Sequence, residues 1–180
     1  ATIMNIFKVP KTGVFGLIDV VGLDLIPAVV KSLLNNISKK DYYHSVHQSP
    51  EIFQYMISNN MIGRKGEGGF YKLVSNKKTR IKHSLNLKTK KYSISNKYKI
   101  ENIKLLKNDL HSFLNLNNKI SNYALNVLTE TLYYVLEIAE EISLDIFSID
   151  ESMKKGFGWR NGPFEIIDKI GPEFLMKYYK

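Results

Sequence analysis

Apolar residues recur at helical spacing through most of the chain. Phe15, Leu17, Ile18 and Val21 crowd into two turns closed by Gly22, where a glycine C-cap fits. Ile26, Val29, Val30, Leu33, Leu34 and Ile37 follow the i, i+3, i+4, i+7 rule, with Asp24 placed to cap and Pro27 in the first turn. Ser49-Pro50-Glu51 opens a further helix carrying Ile52, Phe53, Met56 and Ile57 and ending at Asn59 and Asn60. Helical spacing returns at Ile103, Leu106, Leu110, Phe113 and Leu114, then along residues 118–142. That run predicts a helix about 37 Å long, with Ala124, Val127, Leu128, Thr131, Val135, Ile138, Ala139 and Ile142 on its apolar face. Ser148 and Glu151 stand at capping-box spacing, predicting a short helix to Lys155 that stops at Gly156, and Gly162-Pro163 and Gly171-Pro172 open two more. Residues 81–94 are the exception: they alternate apolar with polar, as a small exposed hairpin would.

A repeat organises these helices. GVFGLIDVVG (13–22) and GPFEIIDKIG (162–171) share Gly, Phe, Ile, Asp and Gly at five of ten positions, with conservative replacements at two more, at an offset of 149 residues. That period is too long for a solenoid and fits a duplicated unit. The predicted architecture is all-α: a first helical copy over 1–72 without its N-terminal part, a basic linker over 73–99 containing a possible small hairpin, and a second copy over 100–180. In each copy the motif reads as a tight glycine, a buried Phe and Ile, and a helix-ending glycine: Gly13, Phe15, Asp19 and Gly22, then Gly162, Pro163, Phe164, Asp168 and Gly171.

Charge sharpens the picture of the linker. The chain carries a formal net charge of +9, and residues 73–108 hold eleven basic groups against one acid, Glu101. Lysine outnumbers arginine 23 to 3, so the residue best suited to bidentate phosphate and guanine recognition is scarce, which argues for a solvated linker over a nucleic-acid surface. With no cysteine, disulfides and thiolate metal sites are excluded. The N-terminal residues lack signal-peptide features, and the apolar stretch 14–30 contains Asp19, Asp24 and Pro27, so the expectation is a cytoplasmic protein without a membrane segment.

Candidate chemistry is sparse. MIGRKGEGGFYK (61–72) concentrates four glycines and three basic residues, the composition of a phosphate loop. A Walker loop from Gly63 reaches Gly68 but then has Gly69 where lysine is required, and a dinucleotide fingerprint from Gly66 meets Tyr71 where glycine is required. The segment therefore reads as a turn in which Gly66, Gly68 and Gly69 deliver Phe70 and Tyr71 as an aromatic anchor. Asp41, His44 and His47 recur every three residues, but no fourth ligand stands near, so no metal site is assigned. Glu140/Glu141 and Asp150/Glu151 sit where acids face water or the N-terminal helix dipole. No residue is assigned a catalytic or cofactor-binding role.

IDESMKKGFGWRNGPFEIIDKIG (149–171), with Gly156 and Gly158 in its GFG, resembles the C-terminal helical domain of 3-hydroxyacyl-CoA dehydrogenases. PKTGVFGLIDVVGLD (10–24) followed by GRKGEGGFYK (63–72) is similar to the later part of the same domain in a first copy, and IKHSLNLKTKKY is similar to the segment joining two copies in larger bacterial β-oxidation enzymes. The resemblance implies the dimerisation and substrate-side part of an NAD-dependent enzyme that oxidises 3-hydroxyacyl-CoA to 3-ketoacyl-CoA. It further implies that NAD and catalysis belong to an N-terminal Rossmann domain, that NAD is not bound by this chain, and that a PGF-x-x-N-R motif stands just before its first residue. The expected partners are that Rossmann domain, acyl-CoA in the full enzyme and a second copy in a homodimer, and the chain alone is expected to be inactive. The alternative is a helical interaction module whose basic segment binds polyanions.

Overall fold

The computed structural model describes residues 13–76, 79–96 and 109–178. They form two compact units, the first from residues 13–96 and the second from residues 109–178.

In the first unit α1 spans Val14–Val21 and ends at Gly22, whose φ of 108° is open to glycine and costly for other residues. A single 3₁₀ turn, Leu23–Leu25, leads into α2, Ile26–Asn36. Asp24 does not cap α2 as its position predicts; its carboxylate pairs instead with Lys65 at 2.9 Å. After the short α3, Tyr43–Val46, α4 spans Glu51–Ser58 from Pro50 without a side-chain cap, and Asn60 leaves it at φ 53°. Three strands follow: β1 Tyr71–Asn76, β2 Thr79–Leu85 and β3 Tyr92–Ile94. They pair antiparallel in the order β1-β2-β3, with Tyr71 opposite Ser84, Asn76 opposite Thr79 and Leu85 opposite Tyr92. The core gathers Leu23, Met56, Met61, Phe70 and Leu85, with Ile18, Ile26, Phe53 and Tyr92 packed against it.

The architecture is thus helical with a small three-stranded sheet, where the sequence predicts helices and at most a small hairpin in the linker. Within the predicted linker, residues 73–76, 79–85 and 92–94 are strands that belong to the first unit. Leu85 supplies the reason: its side chain is core, and its N–H donates to the Phe70 carbonyl at 2.9 Å. The lysines here also have local work. Lys82 Nζ lies 3.6 Å from the centre of the Tyr71 ring and Lys90 Nζ 4.0 Å from that of Tyr55, so part of the basic surplus covers aromatic faces. Lys77, Lys78 and the linker's later residues, 97–99, lie outside the described residues.

In the second unit α5 spans Leu110–Leu114, α6 Lys119–Ile142, α7 Ile146–Phe157, α8 Pro163–Ile170 and α9 Pro172–Met176. Ile103 and Leu106 of the predicted helical run lie outside the described residues. Three starts have side-chain caps: Asp109 accepts from Ser112 N–H, Asp145 from Ser148 N–H, and Asn118 and Ser121 cap each other reciprocally. The predicted cap of α7 at Ser148 is therefore displaced: Asp145 starts the helix three residues earlier, and it runs past Gly156 to a left-handed Gly158 at φ 69°.

The buried stripe of α6 also differs from the expected face. It consists of Ser121, Ala124, Leu125, Leu128, Thr129 and Leu132, while Val127 and Thr131 face outward. Both sets obey the helical period, and the two stripes are neighbours on the same cylinder; contact with Phe113, Leu114, Ile166, Ile170 and Phe174 selects the leucine-rich one. Replacing fully covered Leu132 by alanine is expected to cost about 2–5 kcal/mol in urea unfolding, and Val127→Ala under about 1 kcal/mol. Equal costs would contradict this register.

Candidate functional site

The glycine turn and the helix motifs converge on two buried carboxylates, one in each unit. Asp19 and Asp150 are each only 6% exposed. A carboxylate without water needs donors, and each finds two consecutive backbone N–H groups. Asp19 Oδ1 accepts from Phe70 N–H and Oδ2 from Tyr71 N–H, both at 2.8 Å. Asp150 accepts from Phe164 N–H at 2.8 Å and Glu165 N–H at 3.1 Å, at the open N-terminus of α8.

The glycines make room for these contacts. A side chain on Gly69 would collide with the Asp19 carboxylate, and one on Gly162 with that of Asp150. Gly63 pairs with Gly68 through its N–H at 2.7 Å and lies against the Asp19 backbone, whose carbonyl accepts from Arg64 N–H at 2.9 Å. Gly66 folds back on the Asn60 carbonyl, and Gly68, at φ 132°, lies under the Tyr92 hydroxyl, which donates to the Gly69 carbonyl at 2.6 Å. Phe70 is buried between Phe15 and Phe53, with ring centroids 4.5 and 6.2 Å away, and Tyr71 is half-buried under Lys82. Burial pushes the Asp19 carboxyl up from the ordinary aspartate value, against the opposing pull of its two amides and of the Lys82 and Arg64 charges. Burial and the nearby Asp19 charge push the Tyr92 hydroxyl up as well.

In the second unit a polar cluster flanks Asp150. Lys154 Nζ contacts Glu151 at 2.6 Å and Glu165 at 2.7 Å, while Glu165 also accepts from the Asn161 side chain and from Gly162 N–H. Lys154, Asn161 and that N–H pull Glu165 down to about 2, and Glu151 and Glu165 hold Lys154 above its ordinary value.

The remaining motif positions fall around this frame. Gly13 precedes α1 at φ 70°, Pro163 is buried in the first turn of α8, Phe164 packs partly on the core, and Gly171 ends α8 at φ 87°. Gly156, inside α7, faces open space. Asp168 aligns with Asp19 in the repeat but is exposed. Asp150, expected to face water or an N-terminal helix dipole, is buried against the N-terminus of α8, a helix other than its own. Its donors lie 14 and 15 residues away, and those of Asp19 lie 51 and 52 away, beyond any local pattern.

These contacts decide what the glycine turn can do. The amides that a phosphate would need at Phe70 and Tyr71 are already taken by an internal carboxylate, and an antiparallel sheet follows where a dinucleotide site requires a helix. The glycine turn therefore does not fit a dinucleotide phosphate. Among the described residues no cluster of three or more His, Asp or Glu can hold a metal; Asp41 caps Tyr43 N–H and the His47 ring stacks on Tyr43. An open groove of about 290 Å³ between α2 and the residues before α4 is lined by Ile26, Val30, Leu34 and Phe53. Its titratable lining groups are Lys31 and His47, and no carboxylate is among its lining residues. No described helix is long and apolar enough to cross a membrane.

Gly69→Ala and Gly162→Ala are each expected to cost about 2–5 kcal/mol in chemical unfolding, because displacing either carboxylate strands two N–H groups. Gly156→Ala, with open space at a helical position, is expected to stabilise by up to about 1 kcal/mol. Glu165 predicts a pH effect. Its folded value of about 2 lies below the ordinary 4.5, so its contribution is complete above pH 4.5 and is lost as pH falls toward 2. The loss of urea stability between pH 7 and pH 3 should shrink in Glu165→Gln; an unchanged loss would contradict the contact.

The family of 3-hydroxyacyl-CoA dehydrogenase C-terminal domains matches residues 1–73 and 123–180. A Rickettsia prowazekii (strain Madrid E) protein named as a fatty acid oxidation complex trifunctional enzyme is 33% identical over 170 residues, 92% of this chain and 23% of the relative. A Rickettsia felis protein of the same name is 32% identical over 88% of the chain and 21% of the relative. A Bacillus subtilis (strain 168) protein named as a 3-hydroxyacyl-CoA dehydrogenase is 31% identical over 90% of the chain and 20% of the relative. The chain spans about a fifth of the length of these curated relatives. No solved structure matches it at a significant level. The two carboxylate-anchored motifs thus lie within matched residues, and the chain belongs to the 3-hydroxyacyl-CoA dehydrogenase family, as part of its C-terminal region.

Proposed function

We propose that this chain is the non-catalytic, substrate-side and dimerising part of an NAD-dependent 3-hydroxyacyl-CoA dehydrogenase of fatty-acid oxidation. The family match, together with the occupied amides of the glycine turn, carries the reading. The motif that looks most like a nucleotide cradle is satisfied from within, so the nicotinamide and the proton-transferring groups belong to a Rossmann domain working beside this chain. In this reading Asp19 and Asp150 keep two helical copies rigid, and the copies shape and support the site at which the partner domain handles acyl-CoA in the cytoplasm. Self-association draws on apolar side chains left exposed in the second unit, among them Leu144 and Phe147.

The purified chain mixed with NADH and acetoacetyl-CoA is expected to oxidise NADH no faster than buffer. Turnover abolished by a substitution within the chain would overturn the reading. Sedimentation at tens of micromolar is expected to show a dimer, and a strictly monomeric chain would remove the dimerising role.

A further inference from the structure

The outer surface of α1 differs from that of an ordinary surface helix. Its one charged residue, Asp19, points inward, and the side chains facing out are apolar: Val14 and Leu17 are 55% exposed, Val20 48%, and Phe15 and Val21 45%. Helices that are apolar all round are buried ones. Leu25, just beyond, is exposed to the same degree as Phe15 and Val21.

The second unit shows what this design places over such a face. At the offset of the repeat, Val14, Leu17, Val21 and Leu25 correspond to Pro163, Ile166, Ile170 and Phe174. All four of these are buried, and the last three share a core with Phe113 and Leu114 of α5 and Leu125, Leu128 and Leu132 of α6. The same four positions are therefore covered by a helical hairpin in one unit and bare in the other. Where α8 keeps Lys169 at the margin of its packed face, α1 has Val20, so the apolar surface of α1 is the wider of the two. The relatives, of which the matched stretch is about a fifth, hold ample polypeptide to supply a cover.

We propose that Val14, Leu17, Val21 and Leu25 form the seat of an amphipathic helical hairpin patterned like α5–α6, presented by a partner domain. The occupant carries leucine-sized residues at the α6 spacing of three and four, and they pack on α1 as Leu125, Leu128 and Leu132 pack on α8. The proposal goes beyond the enzymatic reading and stands on the repeat alone, so its test separates from any assay of dehydrogenase activity.

The probe is a fluorescein-labelled synthetic peptide of residues 109–142, titrated into the full chain and followed by anisotropy. Saturable binding is expected, weakened at least tenfold by Leu17→Glu and by Val21→Glu. Both positions are exposed, so the variants keep their fold, as circular dichroism would verify. Ile94→Glu, an equally exposed apolar position on β3, is expected to leave binding unchanged. Absence of binding, or equal binding to Leu17→Glu, would overturn the proposal. A dimer of the chain that Leu17→Glu dissociates and the peptide does not disturb would overturn it too, assigning the face to a second copy.

Discussion

A buried aspartate must find hydrogen-bond donors inside the protein, and in both units it finds them in two consecutive backbone amides. The rest of each unit follows from meeting that demand. In the first, the amides belong to Phe70 and Tyr71, so the chain between α4 and β1 has to turn tightly enough to bring them to α1. Gly63, Gly66, Gly68 and Gly69 permit the turn, at positions where a side chain would strike Asp19, Asn60 or Tyr92. Phe70 is thereby fixed in the core and β1 begins at the next residue, so the sheet takes its position from the carboxylate. In the second unit the amides are those of Phe164 and Glu165, and the bond ties α7 to the first turn of α8. Each arrangement satisfies two donors and one charge together, whereas removing either side would leave the other buried and unpaired.

The two units repeat a sequence without repeating this anchor at the same place. Asp19 and Asp168 align, yet the first is buried and the second exposed; Asp150 aligns with Ala1, which has no carboxylate to offer. What the two stretches share is the helix itself, with an aromatic near its start and a positive-φ glycine at its end. The shared signals are local ones that act within one or two turns, while the long-range partners of the two helices differ.

This distinction explains what could be read in the sequence. Helical periodicity marks α1, α2, α4, α5 and α6, a capping signal marks α7, and Gly-Pro starts mark α8 and α9, because each of these signals acts within the helix or at its end. The buried stripe of α6 lies one row from the expected one, since Val127 and Leu125 satisfy the same period and only the partner helices choose between them. The sequence predicts the sheet only as a possible hairpin, and most of β1 falls in the predicted linker, because the contact that secures it, from Asp19, spans 51 and 52 residues. The burial of Asp150 against α8 is illegible in the sequence for the same reason. Its donors follow a loop and a glycine, and an acid beside Glu151 looks solvated until that glycine brings the helix end to it.

Amide hydrogen exchange at Phe70 and Tyr71 tests the central dependence most directly. With the Asp19 carboxylate in place both N–H groups should be strongly protected, and in Asp19→Ala they should exchange at least tenfold faster, while the amides of Leu128 and Leu132 in the second unit keep their protection. Unchanged protection of Phe70 and Tyr71 in that variant would show that the glycine turn holds itself together and that the buried carboxylate is a passenger.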